Sequence, residues 1–182
     1  MAQDENIITV AERVAVATNT TSSLRSELHK TGAVDVLGAM GMMRGRNQLG
    51  AALLRLVGEH RNAKKDSDMD AIMLMNGLKS LKHVIPPVTE QAAIWGIARA
   101  DKVALAIVAH WLERVCTKCD GVQKEKIANT PATSAKNCHV CRGSGEARMP
   151  YGSAGADLFQ FLVDCSKNAE VGIGHRLNAN HG

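Results

Sequence analysis

Four of the five cysteines in this 182-residue chain fall in one stretch, as two Cys-x-x-Cys pairs. Cys116 and Cys119 form the first, Cys138 and Cys141 the second, with 18 residues between them. No other feature restricts the fold as tightly. Two intervening residues allow a tight knuckle turn that aims both sulfurs at one point, and two knuckles supply four thiolates, the ligand set of a tetrahedral structural zinc site. Backbone N–H groups just past each turn can donate to the thiolates, which favours a residue tolerant of positive φ. Gly121 and Gly143 each stand two places after the second cysteine of their pair. The segment between, DGVQKEKIANTPATSAKN, is too polar for a core of its own, so a metal must hold it. The pattern predicts a four-cysteine zinc finger over residues 116–150, a knuckle or hairpin with one structural Zn2+ on Cys116, Cys119, Cys138 and Cys141.

Other uses of these cysteines fit less well. A redox Cys-x-x-Cys normally occurs once, beside a thioredoxin-like βαβ pattern that this chain lacks. A zinc deaminase needs His-x-Glu and Pro-Cys-x-x-Cys, and neither is present. Four thiolates also close the coordination sphere and leave no position for a reactive water. The expectation is a protein that is not an enzyme. Cys165 recurs with Leu158 and Leu162 at helical spacing and reads as a small buried hydrophobe. His110, six residues before Cys116, reads as a core or boundary histidine and only a weak candidate ligand.

The rest of the chain predicts helices. Aromatic residues make up 3% of it, so the core rests on Leu, Ile, Val, Met and Ala, and few β-branched runs occur. Residues 1–30 form an N-terminal arm, in which TNTTSS breaks any helix begun by TVAERVAVA. Residues 31–115 form a helical domain. Within it, Val36, Leu37, Met40 and Met43 share one helical face, and Leu49, Leu53, Leu56 and Val57 continue the spacing beyond a tight Arg44-Gly45-Arg46 turn. Glycines 38, 41, 45 and 50 suggest close helix contacts. The layout is that of a helix-turn-helix, with Arg44, Arg46, Asn47, Gln48 and Arg55 as candidate DNA contacts. An αα-hairpin packed in the core is the commoner meaning of such a pattern.

A further helix follows from Asp66. Aspartates 66 to 70 stand at its positive end and Lys79, Lys82 and His83 at the other. Met69, Ile72, Met73, Leu78 and Leu81 form its buried stripe, and Pro86 and Pro87 stop it. From about Thr89 another helix runs to the first cysteine pair, interrupted near Gly96. Val103 to Leu112 is apolar nearly all round, as in a central buried helix. Residues 151–182 hold one C-terminal helix that packs on the helical domain. The expected fold class is all-α, a helical bundle with the finger inserted before its last helix.

The N-terminus opens acidic, without the basic-then-apolar order of a signal peptide, and no run of 18 apolar residues is available to span a membrane. These features predict a cytoplasmic protein without a membrane partner. Disulfides are then disfavoured, and the Asn19-Thr20-Thr21 sequon is accidental. A net charge of +4 and pI near 8.9 permit an anionic partner without requiring one. On the finger, Lys118, Lys124, Lys126, Lys136, Arg142 and Arg148 stand against Asp120, Glu125 and Glu146. A zinc tetrathiolate adds two negative charges, so these cations can compensate the metal core, meet phosphate, or be solvated. Lys124, Lys126, Lys136, Arg142 and Arg148, with Arg44 and Arg46 on the hairpin, are the candidate nucleic-acid contacts.

Several segments together resemble the lambda-type Q antitermination proteins of bacteriophages. They are VDVLGAMGM ahead of a glycine-bearing apolar helix, a helix running into Cys-x-x-Cys, CHVCRGSGEARMP, and FLVDCSKNAE near the end. The Cys-x-x-Cys-x-Gly-x-Gly pair ending in Arg148-Met149-Pro150 is the most specific part. DnaJ-type fingers share that element but carry four such repeats, where this chain has two Cys-x-x-Cys pairs. The resemblance implies a transcription regulator that binds late-promoter DNA and joins bacterial RNA polymerase paused there with its sigma factor. It would then suppress pausing and termination in the bacterial host cytoplasm, with zinc on the four cysteines. The family places a DNA-reading helix-turn-helix after Arg-Met-Pro, whereas the 32 residues after Pro150 have room for one good helix. The recognition element is thus shortened, and no base-contacting residue carries over. The alternative is a zinc-stabilised phage protein that binds a host protein without binding DNA.

Overall fold

A computed structural model of the chain describes residues 33–65, 77–127, 130 and 132–179. The expected N-terminal arm lies outside these residues, as do Asp66 to Asp70 and Met69, Ile72 and Met73 of the expected buried stripe. The described elements, in order, are α1 (Ala33–Gly41), α2 (Arg46–Lys65), α3 (Leu81–Ile94), α4 (Ala100–Leu112), β1 (Lys124–Lys126), β2 (Thr133–Asn137) and α5 (Gly152–Ala179). The protein is mostly helical, and its two short strands pair antiparallel inside the finger, Lys124 opposite Asn137 and Lys126 opposite Thr133.

The stripe at Val36, Met40 and Met43 is buried as its spacing requires, with Leu37 partly covered. Gly45, at φ +58°, makes the turn into α2, and Gln48 N–H donates to its carbonyl at 3.0 Å. Helix α2 is buried on two sides. Leu49, Leu53 and Leu56 enter one apolar cluster with Val84, Val88, Val103, Ile107, Leu158 and Leu162. Ala51 and Leu54 enter a second with α1 and with Ala169, Ile173 and Leu177 of α5. The 28-residue α5 therefore completes both clusters. Of the glycines expected at close contacts, Gly50 is one: a Cβ there would lie 2.0 Å from the Cys165 carbonyl oxygen. Gly38 and Gly41 are not, having nothing within 4 Å of that position.

The prolines do not stop a helix. A break at residues 78–80 precedes them, and the Glu59 carboxylate fixes it by accepting from Ser80 N–H at 2.9 Å and from the Ser80 hydroxyl at 2.8 Å. A new helix then starts at Leu81, and Pro86 and Pro87 lie inside it. Each proline removes a donor to the carbonyl four residues earlier. Those carbonyls belong to Lys82 and His83, both exposed, so water can take the place of the missing N–H groups.

The interruption near Gly96 has the form of a helix C-cap. With φ +72° at Gly96, its N–H donates to Ala93 O at 2.9 Å and Ile97 N–H to Ala92 O at 3.0 Å, the paired bonds of a Schellman motif. Helix α4 follows, and it is not buried all round. Val103, Ala104, Ile107 and Val108 face the core, whereas Leu105 is 46% exposed. Small and β-branched residues make α4 apolar on every side by composition, but neighbours cover only one. No helix among the described residues is long and apolar enough to cross a membrane.

Candidate metal centre

Helix α4 ends at Leu112 and hands the chain to the finger through a short extended run. Val115 bridges Glu146 antiparallel, Cys116 N–H donates to Gly145 O at 2.9 Å, and Ala147 N–H donates to Arg114 O at 2.7 Å. These bonds clamp the finger's entry strand to its exit strand. Cys138 N–H to Gln123 O, at 2.8 Å, ties the second knuckle to the first.

The two knuckles repeat one another residue by residue. Each second cysteine accepts a turn bond at its carbonyl, Val122 N–H to Cys119 O at 3.0 Å and Ser144 N–H to Cys141 O at 3.1 Å. Two residues in the left-handed region follow each, Asp120 (φ 48°) with Gly121 (φ 80°), and Arg142 (φ 56°) with Gly143 (φ 88°). That curl swings later N–H groups back onto sulfur, and Gly145 N–H reaches Cys141 Sγ at 3.4 Å. The positive φ expected after each pair is thus present at both glycines. Position relative to the cysteines does not single out Gly145 in that way, although the second glycine of Cys-x-x-Cys-x-Gly-x-Gly marks it. A Cβ at Gly145 would lie 2.9 Å from Gly121 O and 3.1 Å from Gln123 Cγ, so the knuckles can pack this closely only with glycine there.

The four sulfurs lie within 4.8 Å of one another, and all four cysteines are buried. Cys119 Sγ and Cys141 Sγ stand 3.7 Å apart. The edge of a tetrahedron with metal–sulfur bonds of roughly 2.3 Å is roughly 3.8 Å, whereas a disulfide would need roughly 2.0 Å. All five cysteines are free thiols, and Cys165 is 1% exposed in the apolar core as expected. Burial pushes the Cys119 thiol up to about 11, with its neighbours Cys141 and Cys116 adding to the rise. Cys141 meets the same burial, yet N–H donation from Gly145 and Gly143 and the adjoining thiols bring it down to about 6. Four buried thiolates repel each other strongly, so this donor set is fully ionised only around a cation.

The structure sorts the other candidates. Lys136, Arg142 and Arg148 are exposed on the finger, and Arg44 is exposed at the α1–α2 turn. Lys124 is engaged, donating to Asn137 Oδ1 at 2.8 Å and to Ala135 O at 3.3 Å, and Lys126 pairs with Asp120. Arg46 places its guanidinium over the Phe161 ring, 5.8 Å from the centroid. Arg55 and Asn47 are half-buried, and Arg55 Nε finds no hydrogen-bond partner among the described residues. His110 meets Phe159 edge-on at 5.8 Å and is not one of the four clustered ligands. His139, inside the second pair, bonds Glu125 Oε1 through Nδ1 at 3.1 Å, a contact across the finger that spacing alone does not reveal.

Fold and site define a mostly helical protein with an inserted four-cysteine finger able to hold a metal ion. Comparison with family models, with curated proteins and with solved structures finds no match to the chain.

Proposed function

We propose that this chain is a zinc-stapled regulator of transcription elongation of the lambda-type Q kind, acting with bacterial RNA polymerase and its sigma factor at a late promoter to suppress pausing and termination. The observation that carries the reading is the paired glycine-backed knuckle, whose second copy has the Cys-x-x-Cys-x-Gly-x-Gly form that is the most specific part of the resemblance. Four thiolates at tetrahedral spacing suit Zn2+, whereas Mg2+ and Ca2+ take oxygen ligands. Zinc supplies charge compensation and a cross-link here, not a reactive water, so no catalytic role is assigned. What the chain's own residues do is hold a rigid platform. The strand clamp at Val115 and Glu146 fixes the finger's root, and Lys136, Arg142 and Arg148 project where phosphate can be met at little entropic cost.

The test is terminator readthrough with purified polymerase on a template carrying the cognate late promoter. Added protein should raise readthrough, and Cys138→Ser should not. Unchanged readthrough would end the antiterminator reading. DNA contact is tested separately across a salt series. Arg142→Ala/Arg148→Ala should flatten the slope of log affinity against log salt by about one unit per lost phosphate contact. Arg44→Ala/Arg46→Ala is the comparison, with Arg44 its exposed member at the turn.

Binding of a host protein without DNA stays as a second reading on a specific observation. From Gly152 to Ala179 the described residues after Arg148-Met149-Pro150 form one continuous helix, where the resemblance would place a helix-turn-helix. Three of the seven candidate cations, Lys124, Lys126 and Arg46, also already have partners within the chain. A protein with no salt-sensitive retention on DNA would favour this reading.

A further inference from the structure

Where α3 ends, apolar side chains face outward. Ile94 is 70% exposed and Trp95 45% exposed, beside a cleft of about 510 Å3 lined by Trp95, Ile97 and Phe161. Trp95 meets Phe161 edge-on, with ring centroids 5.9 Å apart and planes at 77°, so the two rings form a corner. Asp157 and Asp164 line the same cleft from one face of α5, seven residues apart. Asp157 has no ion-pair partner among the described residues, and Asp164 accepts only from Gln160, at 2.8 Å. Among the described residues the one lining cation is Arg46, seated over Phe161. Two carboxylates against one guanidinium leave the cleft negative, on a chain whose net charge is +4.

We infer that this corner is a docking site for a partner protein, and that it takes an arginine or lysine flanked by apolar residues. The chemistry is complementary at each point. An aromatic face attracts a cation, more so a planar guanidinium that can lie flat on it. Arg46 demonstrates that attraction within the chain and leaves the indole of Trp95 open. The carboxylates flank the place where an incoming charge would sit, while Ile94 and Ile97 offer area to apolar neighbours. Exposed tryptophan in a shaped cleft is the usual anchor of a protein interface. The same carboxylates repel phosphate, so this face is not a nucleic-acid surface. The inference stands apart from the choice between the two functional readings, since either needs a protein partner.

Trp95 and Trp111 are the chain's two tryptophans, so the nitrogen-15 spectrum of the zinc-loaded full chain carries two indole signals. The probes are acetyl-Leu-Arg-Leu-amide and acetyl-Leu-Gln-Leu-amide. The arginine peptide should move the Trp95 signal saturably, leave Trp111 in place, and bind at least about fivefold tighter than the glutamine peptide. Asp157→Asn/Asp164→Asn, both at exposed positions, should reduce that preference to about twofold or less. Three results would each overturn the inference: equal binding of the two peptides, a preference that survives both asparagines, or no saturable movement of Trp95 up to about 10 mM peptide. Movement of Trp95 by a DNA duplex in place of the arginine peptide would overturn it as well.

Discussion

A single added methyl group separates three roles for glycine in this chain. At Gly50 the methyl would sit 2.0 Å from the Cys165 carbonyl oxygen, so Gly50→Ala must push α2 from α5 and should destabilise the protein by about 2 kcal/mol or more. At Gly38 it would meet nothing within 4 Å on a helix interior, and Gly38→Ala should stabilise by about 0.5–1 kcal/mol. At Gly145 it would meet Gly121 O at 2.9 Å with φ at +79°. Gly145→Ala should therefore weaken metal binding by about tenfold while leaving the melting of the helices in place. Urea midpoints for the first two variants and competition with a chromophoric chelator for the third check these outcomes. His110 offers a test through pH. Burial, with Arg114 adding and Glu146 opposing, holds its pKa below the ordinary value of 6.5. The folded chain then binds fewer protons than the unfolded one, so this contribution is full above about pH 6.5 and is lost as pH falls below it. Against wild type, His110→Phe should lose less stability between pH 7.5 and pH 5.5 in urea titrations at each pH.

Helix existence was legible in the sequence wherever periodicity was long and one-sided, and helix ends were legible only where backbone geometry left a mark. The stripe through Val36, Met40 and Met43 and the positive φ at Gly96 belong to those classes. Pro86 and Pro87 do not. A proline signals a missing donor, but whether the helix stops depends on who satisfies the freed carbonyl, and exposure at Lys82 and His83 decides that only in three dimensions. The break at residues 78–80 is similarly tertiary, since Glu59 reaches Ser80 from 21 residues earlier. Of the candidate site, the four ligands were fully legible because metal geometry is local to each knuckle. The fate of each cation was not, because Lys126 finds Asp120 and Arg46 finds Phe161 through contacts that spacing does not encode.

At the scale of the whole molecule, three buried groups hold the structure: two apolar clusters and the four cysteines. No residue of the cysteine group belongs to either apolar cluster, although Met149 at the finger's exit packs against one. Stripping the metal with a chelator should thus open the finger and leave the helices. Far-UV circular dichroism should change little, and four thiols per chain should become reactive toward a disulfide reagent. Cys165 should stay silent until the core melts, since burial raises its thiol pKa and seals it from solvent. Loss of most helical signal on chelation would mean that the metal organises the core as well.

Helix α5 also sets the order in which the protein can be made. It supplies Leu158, Leu162 and Cys165 to one cluster and Ala169, Ile173 and Leu177 to the other, and it lies last among the described elements. A ribosome adds roughly 5–20 residues per second, so helices α1 to α4 wait for their final partner with apolar faces open. The finger has no such wait, because its four clustered cysteines all precede α5 and can close on a metal ion before the bundle is complete. A nascent chain at that point holds a finished metal module on an unfinished bundle, the form that chaperones and proteases recognise. Released chains ending at Pro150 should bind zinc yet be cleaved rapidly in the helical region by a protease, and chains extending through Ala179 should resist.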